Sequence, residues 1–212
     1  MTPGKALAVG TSALGLELDA AARERLLSYL ALLDKWNRTH NLTAIRDERR
    51  GVSHHLLDSL AVLAHLPQRR GLRLVDVGSG GGLPGIPLAI ARPEWRVTLL
   101  DSSQKPCAFL RQAALELGLA NAEVVASRAE AFAPAQGFDV VIARALADLE
   151  GFAKTSHHLL GPGGELVAMK GANPASELAQ LPASVRHVRT TRLSVPGIEG
   201  DRHLVIMRAA SA

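Results

Sequence analysis

Between Asp19 and Trp36 the apolar side chains Leu26, Tyr29, Leu30, Leu33 and Trp36 recur at steps of three and four, which places them on one face of a helix. Asp19 stands where its carboxylate can accept first-turn amide hydrogens and so cap that helix. A polar loop holding Asn41, Leu42 and Thr43 separates it from a second helix, predicted from about Ser53 to His65 with Leu56, Leu57, Leu60 and Leu63 on its core side and Pro67 as its stop. From Leu72 onward the texture changes. Short apolar runs at Leu72 to Val77, Val97 to Asp101, Ala122 to Val125, Phe138 to Ile142 and Glu165 to Met169 alternate with helical patterns at Ile86 to Ala91, Lys105 to Leu117 and Leu146 to Leu160. That alternation predicts a parallel sheet with crossover helices on both faces. Gly118 and Gly161 fall where helix ends favour a left-handed residue. The segments Arg189 to Val195 and His203 to Met207, joined through the turn-rich Pro196 to Gly200, predict a closing hairpin that lays an antiparallel strand on the sheet. The expected layout is an N-terminal helical cap over residues 1–70 and an α/β domain over residues 71–212, packed as one globular unit.

Composition narrows the classes of function. Apolar residues make up 47% of the 212 and charged residues 21%, which is ordinary for a soluble globular domain and excludes a fibrous or disordered class. Aromatics at 3% are too few for a platform that stacks successive bases of a single strand. The single cysteine, Cys107, can form neither an internal disulfide nor a zinc cluster, so a cytoplasmic location without structural metal is expected. No apolar run is long enough to span a bilayer, and the N-terminus lacks a basic head followed by an apolar stretch, so no membrane partner is expected. Without a secretion signal, the glycosylation triplet at Asn41-Leu42-Thr43 is read as accidental. The formal charge of +4 is carried mainly by arginines, clustered at Arg46, Arg49 and Arg50, at Arg69, Arg70 and Arg73, and at Arg186, Arg189 and Arg192. Two readings stand: a polyanionic partner, or solvated surface arginines.

The chemistry concentrates in Val75-Asp76-Val77-Gly78-Ser79-Gly80-Gly81-Gly82-Leu83-Pro84-Gly85. A buried strand runs into glycines and then into a helix whose first turn is expected to accommodate Pro84. Bare backbone at the carboxyl end of the first strand is where open α/β sheets hold their ligands. Gly80 to Gly85 fits the dinucleotide pattern G-x-G-x-x-G, which taken alone is weak. Asp76 weighs against a dinucleotide, because a fixed negative charge is unwelcome beside a pyrophosphate and suits the cationic amino-acid end of S-adenosylmethionine. Asp101, ending the second strand 23 residues after Gly78, can accept from both hydroxyls of a ribose, which either cofactor has. Ala129 and Glu130 follow the third strand at the spacing where an adenine amino group would lie.

Taken together, Lys35-Trp36-Asn37, Asn41-Leu42-Thr43, His55-Leu56-Leu57-Asp58-Ser59, Asp76 to Gly85 with Leu83-Pro84-Gly85-Ile86-Pro87, Leu100-Asp101-Ser102, Ser127-Arg128, Ala143-Arg144-Ala145 and Lys170-Gly171 resemble the RsmG (GidB) family, bacterial methyltransferases acting on N7 of a guanine in 16S ribosomal RNA. The likeness runs from about Leu14 to Met207 and departs at Ala143, where Ser is common, and at Gly81, where Pro or Ala is. It implies a Rossmann-like class I S-adenosylmethionine-dependent methyltransferase sheet, mostly parallel with an antiparallel closing strand, under an N-terminal helical cap. It implies cofactor contact at Gly78, Leu83, Ala129, Glu130 and Arg144, to which the loop chemistry adds Gly80, Asp101 and Ser102. The implied target lies in the small-subunit loop close to the decoding site, S-adenosylhomocysteine is the product, and no metal takes part. The partner is 16S RNA, the small subunit or an assembly intermediate, and a monomer is expected.

Guanine N7 carries an exposed lone pair, so in-line displacement needs no general base, and none is assigned. The chain has Ala143-Arg144-Ala145-Leu146 where amine methyltransferases carry an Asn- or Asp-Pro-Pro-aromatic cluster, while Asn173-Pro174-Ala175 reads as a helix start. Cys107, on the helix after the second strand, reads as packing. Arg144 and Lys170 are positioning candidates: Arg144 toward the cofactor carboxylate or a phosphate, ahead of a fork onto O6 and N7 of a guanine that would block the nucleophile, and Lys170 toward phosphate or base, or simply as a solvated strand-end lysine. His55, Lys170, Arg202 and His203 are candidates for RNA contact, and for each a purely structural reading stands beside it. For His55 that reading is a histidine–carboxylate pair with Asp58 tying the cap to the domain. Rival functions are a methyltransferase with a non-RNA acceptor, a nicotinamide-dependent oxidoreductase, which the lone tyrosine, Tyr29, in the cap disfavours, and a binding module without turnover, which the intact glycines, Asp101 and Arg144 disfavour.

Overall fold

A computed structural model describes residues 1–43, 48–145 and 148–210, with residues 48 and 49 described by their backbone alone. Two helices open the chain, α1 (Pro3–Ala13) and α2 (Ala20–His40). Asp19 caps α2 as expected, its carboxylate accepting the Ala22 amide at 2.6 Å, and the helix runs to a left-handed Asn41 rather than stopping at Trp36. Helix α1 escapes the periodicity argument because its contact face is small: a Cβ on Gly10 would lie 2.2 Å from Leu57 Cδ1, so the helix docks through a notch rather than an apolar stripe.

The second predicted helix is not one regular helix. It is α3 (Glu48–Gly51), a π-helical turn at Val52–Leu57, α4 (Asp58–Leu60) and a 3₁₀ turn at Ala61–His65. Single π turns are rare and frequent at functional sites, because they re-aim the side chains that follow them.

The sheet follows: β1 (Arg73–Val77), α5 (Gly85–Ala91), β2 (Arg96–Asp101), α6 (Gln104–Glu116), β3 (Ala122–Ala126), β4 (Phe138–Arg144), α7 (Leu149–Ser156), β5 (Leu160–Lys170), α8 (Ala175–Leu178), β6 (Val185–Arg192) and β7 (His203–Ala209). The order is β3-β2-β1-β4-β5-β7-β6, with β7 antiparallel to β5 and to β6 and the other pairings parallel. The mostly parallel sheet with an antiparallel closing strand is therefore present, and the closing strand is inserted inside the edge. The predicted helix at Leu146 to Leu160 starts on residues outside those described; its described part is α7 and a 3₁₀ turn at His157–Leu159. Asn173-Pro174-Ala175 does start a short helix, with Asn173 Oδ1 accepting the Ala175 amide at 3.1 Å.

Strand side chains alternate between two cores. Leu74, Val97, Leu99, Val140, Ile142 and Leu204 face the helical N-terminal region, α5 and α6, in one continuous cluster that crosses residue 70. Val75, Leu100, Val141, Leu166 and Val205 face Leu149 and Phe152 of α7. No helix among the described residues is long and apolar enough to cross a membrane.

Two glycine expectations divide. Gly118 is left-handed at φ +62, as a residue just past a helix end should be. Gly161 is not; it lies in β5 because its backbone touches that of Gly137, where a Cβ would sit 2.4 Å from the Gly161 nitrogen. Gly137→Ala is expected to destabilise the fold by about 2 kcal/mol, since backbone cannot step aside as a side chain can. Urea unfolding checks this, and an unchanged midpoint would show that the entry to β4 and β5 parts freely.

Candidate active site

Parallel strands β1 and β4 lie side by side while the chain leaves β1 toward β2 and returns to β4, so a crevice opens at their carboxyl ends. The glycine turn after β1 is held there by five contacts. The amides of Gly78 and Ser79 donate to the Leu100 carbonyl at 2.8 and 3.1 Å. The Gly80 amide donates to Asp101 Oδ2 at 2.9 Å, and the Gly85 amide donates to Asp76 Oδ2 at 2.9 Å. Tyr29, from α2, donates its hydroxyl to the Gly81 carbonyl. Helix α5 begins at Gly85, with Pro84 as its N-cap residue, one position before the first-turn place expected from sequence. Gly85 is required by packing, because a Cβ there would meet Leu99 Cδ2 at 2.3 Å and Asp76 Oδ2 at 2.8 Å. Gly78 is required by conformation, at φ +69, and a Cβ on it would project into open space.

That open space belongs to a cavity of about 320 Å³ lined by Gly78, Asp101, Ser102, Ala129 and Glu130. Five of the expected cofactor residues are thus brought together. Asp101 also accepts the Ser103 amide through Oδ1 at 2.8 Å, so its carboxylate is fixed by backbone and each oxygen keeps lone pairs for a sugar hydroxyl. Gly80 and Leu83 stand behind the surface, Gly80 orienting Asp101 and Leu83 buried in the core. The opposite wall, from α7, carries Phe152, Asp148 and Thr155. Sequence reasoning missed this wall, because Phe152 looks like an ordinary core position of an amphipathic helix; Asp148 is that helix's N-cap.

Arg144 does not line this cavity. It lines a second one of about 190 Å³ with Lys170, Arg202, His203 and Asp58, at the carboxyl ends of β4 and β5 and the start of β7. Four expected residues from distant parts of the chain meet there. Asp58, nearly sealed from solvent, accepts Arg202 Nε through Oδ1 at 3.0 Å and pairs with Arg144 Nη1 through Oδ2 at 3.4 Å. Lys170 pairs with Glu177 of α8 at 2.9 Å. Just past Arg144, Ala145 sits at φ +58, a left-handed conformation that costs an L-residue about 1 kcal/mol and ends β4 sharply.

The expected His55–Asp58 pair does not form, because Asp58 is taken by two guanidinium groups. His55 is 1% exposed, and its Nε2 meets the Thr43 hydroxyl at 3.2 Å. Burial, reinforced by nearby Arg144, lowers its pKa to about 4, so the ring is neutral at pH 7 and offers no charge to a phosphate. The described arginines of the three clusters make separate contacts. Arg69 pairs with Asp139, and Arg73 opens β1 and stacks over Phe138 at 5.2 Å, both at the amino edge away from the cavities. Arg189 donates to the His65 carbonyl at 2.8 Å and Arg192 pairs with Asp201 at 2.8 Å, along the edge strand β6. Arg50 contacts His54, while Arg46 and the Arg49 side chain lie outside the described residues. Cys107 is buried, as expected of packing. Among the described residues no group of three His, Cys, Asp or Glu is placed to hold a metal.

A family profile described as GidB, rRNA small subunit methyltransferase G, matches residues 22–205. A relative from Laribacter hongkongensis named ribosomal RNA small subunit methyltransferase G is 51% identical over 199 residues, covering 94% of this chain and 95% of that one. One of the same name from Nitrosospira multiformis is 49% identical over 217 residues, covering 99% of each. Among solved structures, a SAM-dependent methyltransferase from Aquifex aeolicus aligns with a TM-score of 0.59 at 19% identity, covering 82% of this chain and 97% of that one. TrmN from Thermus thermophilus aligns with a TM-score of 0.57 at 20% identity, covering 75% and 53%. The fold is that of the class I S-adenosylmethionine-dependent methyltransferases.

Asp76 makes the loop sensitive to pH. Burial pushes its pKa from 3.8 up to about 7, against the lowering pull of the Gly85 amide, Ser79 and Arg144, and its Oδ1 has no hydrogen-bond partner among the described residues. The folded state therefore holds a proton that the unfolded state releases between pH 3.8 and about 7. Stability from this group is full below 3.8 and is lost as pH rises through that window. Asp76→Asn keeps an acceptor for Gly85 without the charge. Its melting temperature relative to wild type is expected to rise by at least about 5 °C from pH 4 to pH 8. A gap that stays constant over that range in thermal melts would show that Asp76 does not titrate there.

Proposed function

The chain belongs to the rRNA small subunit methyltransferase G family, and from that premise we propose that it transfers the methyl group of S-adenosylmethionine to N7 of a guanine in 16S ribosomal RNA, in the small-subunit loop near the decoding site. The observation that carries the reading is the pair of cavities on one sheet edge. One has a fixed carboxylate and bare backbone, and the other is rich in donors.

The first cavity fits the methyl donor. Asp101, already oriented by two amides, takes the ribose hydroxyls; Ala129 and Glu130 lie where the adenine edge falls; Gly78 leaves room that any side chain would fill. When bound, S-adenosylmethionine supplies a sulfonium methyl carbon: the N7 lone pair forms the new C–N bond as the C–S pair returns to sulfur, giving S-adenosylhomocysteine and a cationic 7-methylguanine.

No proton has to leave N7, so this reading calls for no general base. Asp58, the one carboxylate lining the second cavity among the described residues, is committed to Arg144 and Arg202. The protein's part is to bring the base edge to the methyl carbon, keep water out and balance charge. Residues 1–70 act in this reading as a cap that delivers Asp58 to the edge of the domain formed by residues 71–212. The protein works as a cytoplasmic monomer, on naked RNA, the small subunit or an assembly intermediate.

Two experiments test this. Mass-spectrometric mapping of 16S RNA from cells with and without the gene is expected to show loss of a single 7-methylguanosine; an unchanged nucleoside map would remove the acceptor assignment. Gly78→Val is expected to abolish S-adenosylmethionine binding in calorimetry, because it strains a left-handed turn and fills the cavity. Wild-type affinity in that variant would place the donor elsewhere.

A further inference from the structure

The glycine turn after β1 is gripped from behind by α2. Tyr29, sealed from solvent, donates its hydroxyl to the Gly81 carbonyl across 52 residues of chain. The other end of the same peptide unit is used within the turn, where the Gly82 amide donates to the Ser79 carbonyl at 2.7 Å. Packing reinforces the grip, because a Cβ on Gly81 would lie 3.0 Å from Leu33 Cδ1 and 3.6 Å from the Leu42 carbonyl. The segment holding Leu42 is tied in turn to the end of α2, where Asn37 Oδ1 accepts the Thr43 amide at 2.8 Å. The peptide joining Gly81 to Gly82 has no side chain on either flank, so sterics alone leave both of its orientations open. Turning it over would carry the carbonyl away from Tyr29 and the amide away from Ser79 at once. Ser79 lies between Gly78, which lines the first cavity, and Gly80, whose amide fixes Asp101. The orientation of that one peptide therefore bears on the wall that the donor meets.

We propose that Tyr29 is a positioning residue of the donor cavity: its hydroxyl holds the Gly81–Gly82 peptide in the orientation that sets Gly78 and Asp101 for the methyl donor, so that donor affinity depends on how α2 is docked. This rests on the donor reading above and adds a control of that cavity from outside the sheet. A tyrosine hydroxyl suits the task because it stays a donor. Burial pushes its pKa well above the ordinary value, against the opposing pull of Arg144, so the proton is retained at neutral pH. A phenylalanine ring would fill the same space and leave the Gly81 carbonyl buried without that partner. In the wild-type protein the turn is set before the donor arrives; without the hydroxyl, molecules divide between two orientations of the peptide. Only one of them takes the ligand, and apparent affinity falls in proportion to the fraction that keeps it. No contact between Tyr29 and the donor is needed, since the effect passes through backbone alone.

Tyr29→Phe removes the hydrogen bond and keeps the ring. Its dissociation constant for S-adenosylhomocysteine, by calorimetry well below the melting temperature, is expected to rise about 5- to 10-fold. In methyl-transfer assays on the ribosomal RNA substrate the KM for S-adenosylmethionine should rise in step, while kcat at saturating donor falls far less. A variant that had merely lost part of its folded population would show the reverse, a lower kcat at an unmoved KM, and that result overturns the coupling. So does a dissociation constant within about 2-fold of wild type. A second measurement needs no variant and decides the matter if Tyr29→Phe fails to fold. The chain has one tyrosine, so tyrosine labelled with carbon-13 at Cζ gives one resonance, from which exchange of the hydroxyl hydrogen with solvent is read. Exchange requires the contact with Gly81 to open, and a ligand that binds only the closed turn suppresses that opening. With S-adenosylhomocysteine at 100 times its dissociation constant, exchange is expected to slow by about 10-fold or more. An exchange rate indifferent to the ligand overturns the coupling. A wild-type protein that binds no S-adenosylhomocysteine removes the donor reading itself; binding that is equally tight in wild type and variant removes only the role of Tyr29.

Discussion

A carboxylate with no access to water governs the shape of the first cavity. Asp76 lies one residue before the end of its strand, inside the core, and takes the Gly85 amide, so the turn between them must close in a tight loop whose outer side is backbone. Leu100 and Asp101, on the neighbouring strand, take the amides of Gly78, Ser79 and Gly80. The loop is thus pinned from both strands and, through Tyr29, from the cap. A flexible glycine run has become a rigid surface before any ligand arrives, and such preorganisation is what lets binding energy go into orientation rather than ordering. The conformational freedom of the glycines is used once, to build the turn, and is not available afterwards.

The second constraint joins the two ends of the chain. Asp58 comes from the N-terminal helices, Arg144 from the middle of the sheet and Arg202 from the start of the closing strand. Three segments with nothing in common locally meet at one buried ion cluster with a surplus positive charge. A buried carboxylate between two guanidinium groups is a weak source of stability, because desolvation offsets much of the attraction, but it fixes geometry firmly. The π-helical turn directly before Asp58 belongs to the same arrangement, since a shift of one residue in the helix register changes which side chain reaches the sheet edge.

Sequence alone determined the strands, the glycine turn and the acid that follows the second strand, because these rest on local rules: apolar runs of strand length, a left-handed turn that only glycine enters freely, and a fixed spacing between neighbouring parallel strands. Ala129 and Glu130, singled out by their spacing after the third strand, do line the first cavity. Other features were beyond its reach. Helix α1 hides because it packs through Gly10 and so lacks an apolar stripe. Phe152 hides because a cavity wall and a core position ask for the same residue type. The partner of Asp58 was misread as His55, one turn away, when tertiary packing supplied two arginines 86 and 144 residues distant. Only the folded chain brought Arg144 and Arg202 together on Asp58, since a residue's place at a strand end says which edge it occupies, while its side-chain direction depends on the charges that the rest of the protein brings to meet it.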